Sequence, residues 1–536
     1  QWLRSGQRSV YRFTHHLFQK YLYDQLDVVE RALLHAQYAA ALEQQVKGDQ
    51  AERERISATL AWHYEAGGRP LQAARALYDA GRLAMRVSAF PDALNRYEHA
   101  LALLADTAPS PERTELELLL QVAQLGPRRS AEGMAGAGLA GMLARISEAG
   151  VDQAQGWTKL MALETQVERL VAQGQLEAGL AMAAAMQVEA VQAGDDAFAA
   201  VADWQFGFIN NLMGRPQAAE HYLARVLTWL TPERQTELRA TLGTDIATPA
   251  LCFSALDLWL LGFPIQAQAR SASAVTSARE QEDIFGLATA CALGAVVQFF
   301  LRDDDTALQS RAELCHRLSV EHGFTMWQLY AEVFLGRQAI MAGEEEAGLK
   351  QMRGALAGWQ ALGMTIGTDS LVLVLVDGCL AAAQRRSQGE RVQHDGLLSI
   401  ALAAIDSVIG QPGIPCGQTY AAELHRLRGE LLLARDGLAA GEVAMACFET
   451  ALALGQEQGA LAWELRAEMS RVRLHTRQRE QCAAESGESL AHLRALHARF
   501  TEGLAFHDLQ EAAALIAQGS APLGQGLETT RGRGVA

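Results

Sequence analysis

Small apolar residues recur along this chain at fixed intervals, with bulky apolar residues between them and polar positions filling the remainder. The period is near 3.6, which predicts amphipathic helices rather than strands. One pattern repeats. A small residue is followed 12 positions later by a second, then by a bulky residue four positions on and another small one three after that. Ala61 leads to Ala73, Leu77 and Ala80, and Gly81 leads to Ala93, Tyr97 and Ala100. Gly207 leads to Ala219, Leu223 and Val226, and Ala255 leads to Ala267, Ser271 and Ala274. Ala295, Ala307, Arg311 and Leu314 form a weaker match, and Gly336, Gly348, Met352 and Ala355 a good one. Gly429 leads, after a short insertion, to Ala444, Phe448 and Ala451, while Ala178, Met182 and Ala185 mark a second helix with no clear first. Small residues let two backbones approach, and the bulky one fills the space between turns.

Turn signals stand where two antiparallel helices must join: Gly67-Gly68-Arg69-Pro70, Met213-Gly214-Arg215-Pro216, Leu261-Gly262-Phe263-Pro264, Arg302-Asp303-Asp304-Asp305 and Ala342-Gly343-Glu344-Glu345. Asp283, Gly323 and Gly363 fall at a 40-residue spacing, longer than the ~34 residues of an ordinary tetratricopeptide repeat. The expected fold is all-α: a right-handed α-solenoid of about nine to eleven tetratricopeptide-like hairpins. The alternating stretch LVLVLV at 371–376 reads as a buried helix, with Asp369 and Ser370 suited to its N-cap.

Residues 106–160, with three prolines and the run GMAGAGLAGM at 133–142, break the rhythm, as do the insert-like RRSQGERVQHDG and GQPGIPCG within 384–420. The expected division is 1–50, 51–105 (first repeats), 106–160 (irregular linker), 161–518 (solenoid) and 519–536 (disordered tail).

Composition narrows the function. Net charge is −16 and only four lysines occur, which argues against a nucleic-acid surface. The seven cysteines form no C-x-x-C pair and read as buried thiols in a reducing, cytoplasmic setting. No apolar run reaches membrane-span length by this reading, and no signal peptide is seen. The chain opens on Gln1 in mid-pattern, as a fragment of a longer protein would.

The segment 11–46 differs from the repeats. Phe13, His15, Phe18, Tyr21, Leu22, Tyr23, Leu26, Arg31, Leu34 and His35 resemble the end of the winged-helix region in STAND-type signalling ATPases. Ala61, His63, Tyr64, Gly67, Ala73 and Ala80 are similar to the first sensor repeats of those proteins. PERTELELLLQVAQLGP at 111–127, ELHRLRGELLL at 423–433, WELRAEMSRVRL at 463–474 and RFTEGLAFHDLQEAAALI at 499–516 resemble their linker helix and last repeats, although Leu504–His507 departs from the usual run. The resemblance is greatest to bacterial ATPases fused to a class III adenylate or guanylate cyclase. It implies a winged-helix remnant at the N-terminus, then a sensor that holds an ATPase closed until a ligand binds. No G-x-x-x-x-G-K-[ST] motif occurs here, so no cofactor is expected in this segment; ATP and Mg would belong to the upstream ATPase.

No catalytic or metal-binding set is expected. His15 and His16 diverge as helical neighbours, and His316 and His322 lack ligand-spaced partners. Candidate ligand-binding residues lie on the first helices of the hairpins, which would line a concave groove: Asn210, Asn211, Trp259, Gln298, Trp327 and Tyr330. Their alternative role is packing between repeats. The expected partners are a protein, peptide or small-molecule ligand in that groove and the protein's own upstream ATPase domain, without nucleic acid or membrane. A constitutive scaffold and the sensor region of an ATP-dependent transcription regulator remain open as alternatives.

Overall fold

In a computed structural model, residues 16–132, 141, 157–242, 245–303, 305–385, 391–409, 418–478 and 483–520 are described. The Gly-rich run, most of the two inserts and the tail from 521 lie outside these residues. The described residues form helices joined by short turns, with no strand among them.

Two compact units divide at residue 127. The first carries α1 (His16–Gln25), α2 (Val28–Gln45), α3 (Gln50–Arg55), α4 (Ser57–Ala66), α5 (Pro70–Arg86), α6 (Phe90–Ala105) and α7 (Pro111–Ala123). Asp27 caps α2 through a reciprocal pair of hydrogen bonds with Glu30. Residues that carry the family resemblance meet in this unit. The Tyr23 hydroxyl lies 2.9 Å from His35 Nε2, and His35 Nδ1 lies 2.8 Å from His63 Nδ1. Gly67 lets α4 end against α2, since a Cβ there would stand 2.7 Å from the Ala36 nitrogen.

After α8 (Leu125–Glu132), the second unit runs through α9 (Trp157–Ala172), α10 (Leu176–Ala193), α11 (Asp196–Leu212), α12 (Pro216–Trp229), α13 (Pro232–Leu242), α14 (Ala247–Leu260), α15 (Pro264–Glu280), α16 (Ile284–Leu301) and α17 (Asp305–His322). It continues with α18 (Thr325–Met341), α19 (Glu345–Ala361), α20 (Thr368–Arg385), α21 (Arg391–Asp406), α22 (Ala421–Asp436), α23 (Gly441–Gln458), α24 (Leu461–Arg477), α25 (Ala483–His497) and α26 (His507–Ser520). Successive helices pair as antiparallel hairpins.

Missing side chains set the hairpin geometry. A Cβ on Gly207 would stand 2.6 Å from Leu223, one on Gly336 2.4 Å from Met352, and one on Gly429 2.6 Å from Phe448. In each case the bulky partner lies 16 or 19 positions along the chain, where the sequence pattern puts it. Ala73, Ala93, Ala219, Ala255, Ala267 and Ala444 are fully buried at the corresponding crossings. Two hairpins run one residue later than the sequence reading. Leu308 is buried where Ala307 was expected, and Gly179, Ala183 and Met186 replace Ala178, Met182 and Ala185. The turn explains the first shift. Gly68, Gly214, Gly262 and Gly343 adopt positive φ five residues before Ala73, Ala219, Ala267 and Gly348, but Arg302 takes that conformation six residues before Leu308.

The hairpins form two layers. α11, α14, α16, α20 and α24 are buried on nearly every face, whereas α12, α15, α17, α19 and α23 bury one stripe each. LVLVLV lies within α20, all six residues buried; its helix begins at Thr368, one residue before the expected cap. α16 corrects the expectation about membrane-length runs. Its 18 residues have a mean hydropathy of 2.1, enough to cross a membrane by length and composition, but 78% of the stretch is buried inside the coil. Gln418–Gln458 passes the same test, although a 3₁₀ turn at Gly437–Ala440 interrupts it.

Buried carboxylates sit beside this apolar layer. Asp369, at the start of α20, accepts a hydrogen bond from the Ser370 N–H through one oxygen, while its other oxygen has no partner. Burial pushes its carboxyl up to about 7.

Two predictions follow from the packing. Gly336→Ala should destabilise the chain by about 1–3 kcal/mol, since the new methyl meets backbone as well as Met352. Gly354→Ala, on an exposed face with open space around it, should stabilise by about 0.5–1 kcal/mol. Melting curves of both variants check the pair, and equal effects would contradict this register. For Asp369, the folded state holds its proton above the ~3.9 of an unfolded aspartate, so its ionisation removes stability as pH rises from about 4 to about 7. Asp369→Asn should therefore gain on the parent protein across that window, by up to about 4 kcal/mol. Denaturant titrations at pH 4 and pH 7 measure the difference.

Candidate functional site

Late helices fold back against early ones, and the coil of the second unit closes on itself. Trp463 of α24 packs edge-on against Trp259 of α14 at 4.7 Å, and Trp259 stacks on Phe300 of α16 at 4.9 Å. Tyr420, in the 3₁₀ turn Gln418–Tyr420, also stacks on Phe300, at 5.8 Å. The Trp463 indole donates to the Thr419 carbonyl at 2.9 Å, and the Thr419 hydroxyl donates to the carbonyl of Asn211, 208 residues away. At the rim, the Gln266 N–H donates to Glu502 at 3.0 Å.

Turn glycines make this closure possible. Gly214 and Gly262 end α11 and α14 at positive φ, and each also faces the returning chain. A Cβ on Gly262 would stand 2.7 Å from Leu461, and one on Gly214 2.9 Å from Gln458.

Arg466 of α24 lies at the centre of the seam, buried. Its Nη2 donates to the Phe300 carbonyl at 2.9 Å, its Nη1 to Glu423 at 3.0 Å and its Nε to Asp508 at 2.6 Å. Three rings surround the guanidinium: Trp259 at 4.9 Å, Trp463 at 5.5 Å and Phe300 at 5.6 Å. The cluster extends on both sides. Arg426 forks onto Glu423 at 2.7 and 2.8 Å, and Arg337 and Arg302 hold Asp377 at 2.7 and 3.2 Å. Burial raises the carboxyls of Glu423, Asp377 and Asp508, but the neighbouring arginines outweigh it and hold all three below the usual range.

The six groove candidates are all interior. Asn210 donates back to the Phe206 carbonyl of its own helix at 2.8 Å, and Asn211 donates to Asp257 at 2.7 Å. Trp259 belongs to the seam. Trp327 lies edge-on to Tyr330, whose hydroxyl sits 2.8 Å from that of Ser370. Thus Asn211, Trp259 and, through Asp257, the seam are brought together; Asn210 is not. Gln298 Oε1, Trp327 Nε1 and one oxygen each of Asp257 and Asp369 are buried without a hydrogen-bond partner. Burial pushes Asp257 well above the ordinary carboxylate range, against the Asn211 hydrogen bond.

Asp257, Glu423, Arg466 and Asp508 escaped the sequence reading as site residues, and Asp369 was read only as an N-cap. Asp257 carried a signal, as the one charge on the apolar α14, whereas Glu423 and Arg466 lie on helices with many charges and do not stand out. Among the described residues, His507, Asp508 and Glu511 have metal-compatible spacing, but arginines occupy two of them, Arg466 on Asp508 and Arg473 on Glu511.

No family model and no curated protein sequence matches the chain. Among solved structures it is similar to a Rap protein complexed with Competence and Sporulation Factor, at 12% identity over 72% of this chain and 98% of that one, with a TM-score of 0.51. The apo form of RapI gives 10% identity over 70% and 97% with a TM-score of 0.43, and yeast Tom70 gives 11% over 90% and 96% with 0.35. The likeness to the Rap protein is one of fold: the chain is a tetratricopeptide-like helical-repeat solenoid.

Proposed function

We propose that this chain is the ligand- or partner-sensing region of a multidomain signalling ATPase and that it controls an N-terminal effector, a nucleotide cyclase, lying upstream with the ATP- and Mg-binding machinery. Its ligand is a protein, peptide or small molecule taken against the inner helices. The observation that carries this reading is the unspent hydrogen-bonding capacity of that layer. Asp257, Gln298, Trp327 and Asp369 each keep a buried polar atom without a partner, on α14, α16, α18 and α20. Such atoms cost free energy in the closed coil and would gain partners from a ligand in an opened one. The sequence resemblance supports the ATPase context, and the Rap protein's capture with Competence and Sporulation Factor supports a ligand in a fold of this kind. Sensing then works by population shift, since a ligand that prefers the open coil biases the equilibrium by its differential affinity.

The test is selection of peptides from a display library against the intact chain. Gln298→Ala and Asp369→Asn should weaken binding of the selected peptides about tenfold, the loss expected for one or two buried hydrogen bonds, while the outer-face variant Gln309→Ala leaves it unchanged. Peptides insensitive to both inner variants would refute an inner-face site. Binding that leaves backbone hydrogen exchange at the seam unaltered would favour the constitutive scaffold over the switch.

A further inference from the structure

The seat of Arg466 has the composition of a receptor. All three guanidinium nitrogens meet an acceptor, from Phe300, Glu423 and Asp508, and three aromatic rings enclose the planar group. A guanidinium matches three acceptors in a plane and stacks on rings; an ammonium, a compact and strongly hydrated point charge, does not. The parts come from distant stretches of chain. Trp259 and Phe300 stand on α14 and α16, Glu423 and Trp463 on α22 and α24, and Asp508 on α26. The guanidinium therefore bridges the two arms of the closed coil.

The seam is also poised rather than simply glued. Glu423 keeps Arg426 as a second partner, but Arg466 is the largest influence holding Asp508 ionised. Withdrawal of Arg466 would leave buried Asp508 with His507, 3.6 Å away, and the charge of Arg302, and would set two carboxylates, Asp508 and Glu423, around one emptied cage. An uncompensated buried charge is strongly destabilising, and it is relieved either by protonation or by parting the arms to admit water.

We propose that the seat formed by Trp259, Phe300, Glu423, Trp463 and Asp508 is a guanidinium-binding site that locks the coil shut from within, opening when Arg466 leaves and closing again when another guanidinium enters. The ligand class is a guanidinium-bearing molecule, such as the arginine side chain of a peptide. This lock stands on the seam geometry alone, whatever the coil senses.

The experiment is hydrogen exchange on the intact chain, comparing residues 247–260, 284–301 and 461–477 with 157–172 as a reference away from the seat. In Arg466→Ala, the seam helices should exchange about tenfold or more faster while the reference helix is unchanged, the pattern of local rather than global opening. Methylguanidinium should restore the variant's protection, methylammonium at the same ionic strength should not, and the parent protein should respond to neither. If Arg466→Ala fails to fold, Asp508→Asn, which removes one acceptor and leaves the arginine in place, should give a smaller acceleration confined to the same helices. Unchanged seam exchange in the variant that folds overturns the lock. An opened seam that methylguanidinium does not restore, or that methylammonium restores equally, overturns the guanidinium site. The display selection above uses different probes and a different readout, so either proposal can fail without the other.

Discussion

Two helices of this protein cross closely where the residue at the crossing is glycine or alanine. Gly207, Gly336 and Gly429 mark such points, each with a bulky partner already filling the space a Cβ would need. A methyl group at any of them would have to displace that partner, and at Gly336 it would also meet the Gly348 carbonyl oxygen at 2.7 Å. Every higher feature depends on that approach. It brings the second helix against the first, directs all faces of the first inward, and leaves the second to bury a single stripe.

The two layers then diverge in chemistry. The outer helices bear the polar faces expected of a surface in water. The inner ones are surrounded by protein, so a charge on them must be paired or neutralised. The chain uses both solutions. Asp377, Glu423 and Asp508 stay ionised beside arginines, whereas Asp257 and Asp369 lack a cation and retain protons more readily. The paired groups cluster along the line where the arms meet, which gives closure a directional character that apolar contact alone lacks.

Much of the fold was legible in the sequence because hairpin packing is local. Gly336, Gly348 and Met352 announce their contact within 16 residues, and the alternating run 371–376 declared itself helical by its position in the repeat. The one-residue shift at Leu308 was not legible, because it depends on whether a turn of charged residues places its left-handed conformation at Arg302. The closure was hidden more deeply. Arg466 and Phe300 are 166 residues apart, and no periodicity connects them. Sequence reasoning offered Trp259 and Asn211 either as lining of a concave groove or as packing between repeats, and could not see that their faces meet a distant part of the chain.

An open array of repeats can lengthen by copying a hairpin anywhere along it. This coil lacks that freedom between Phe300 and Arg466. One extra 40-residue unit there would rotate and translate the arginine past its carbonyl, and Thr419 past Asn211. The number of hairpins in the arc is thus fixed by geometry.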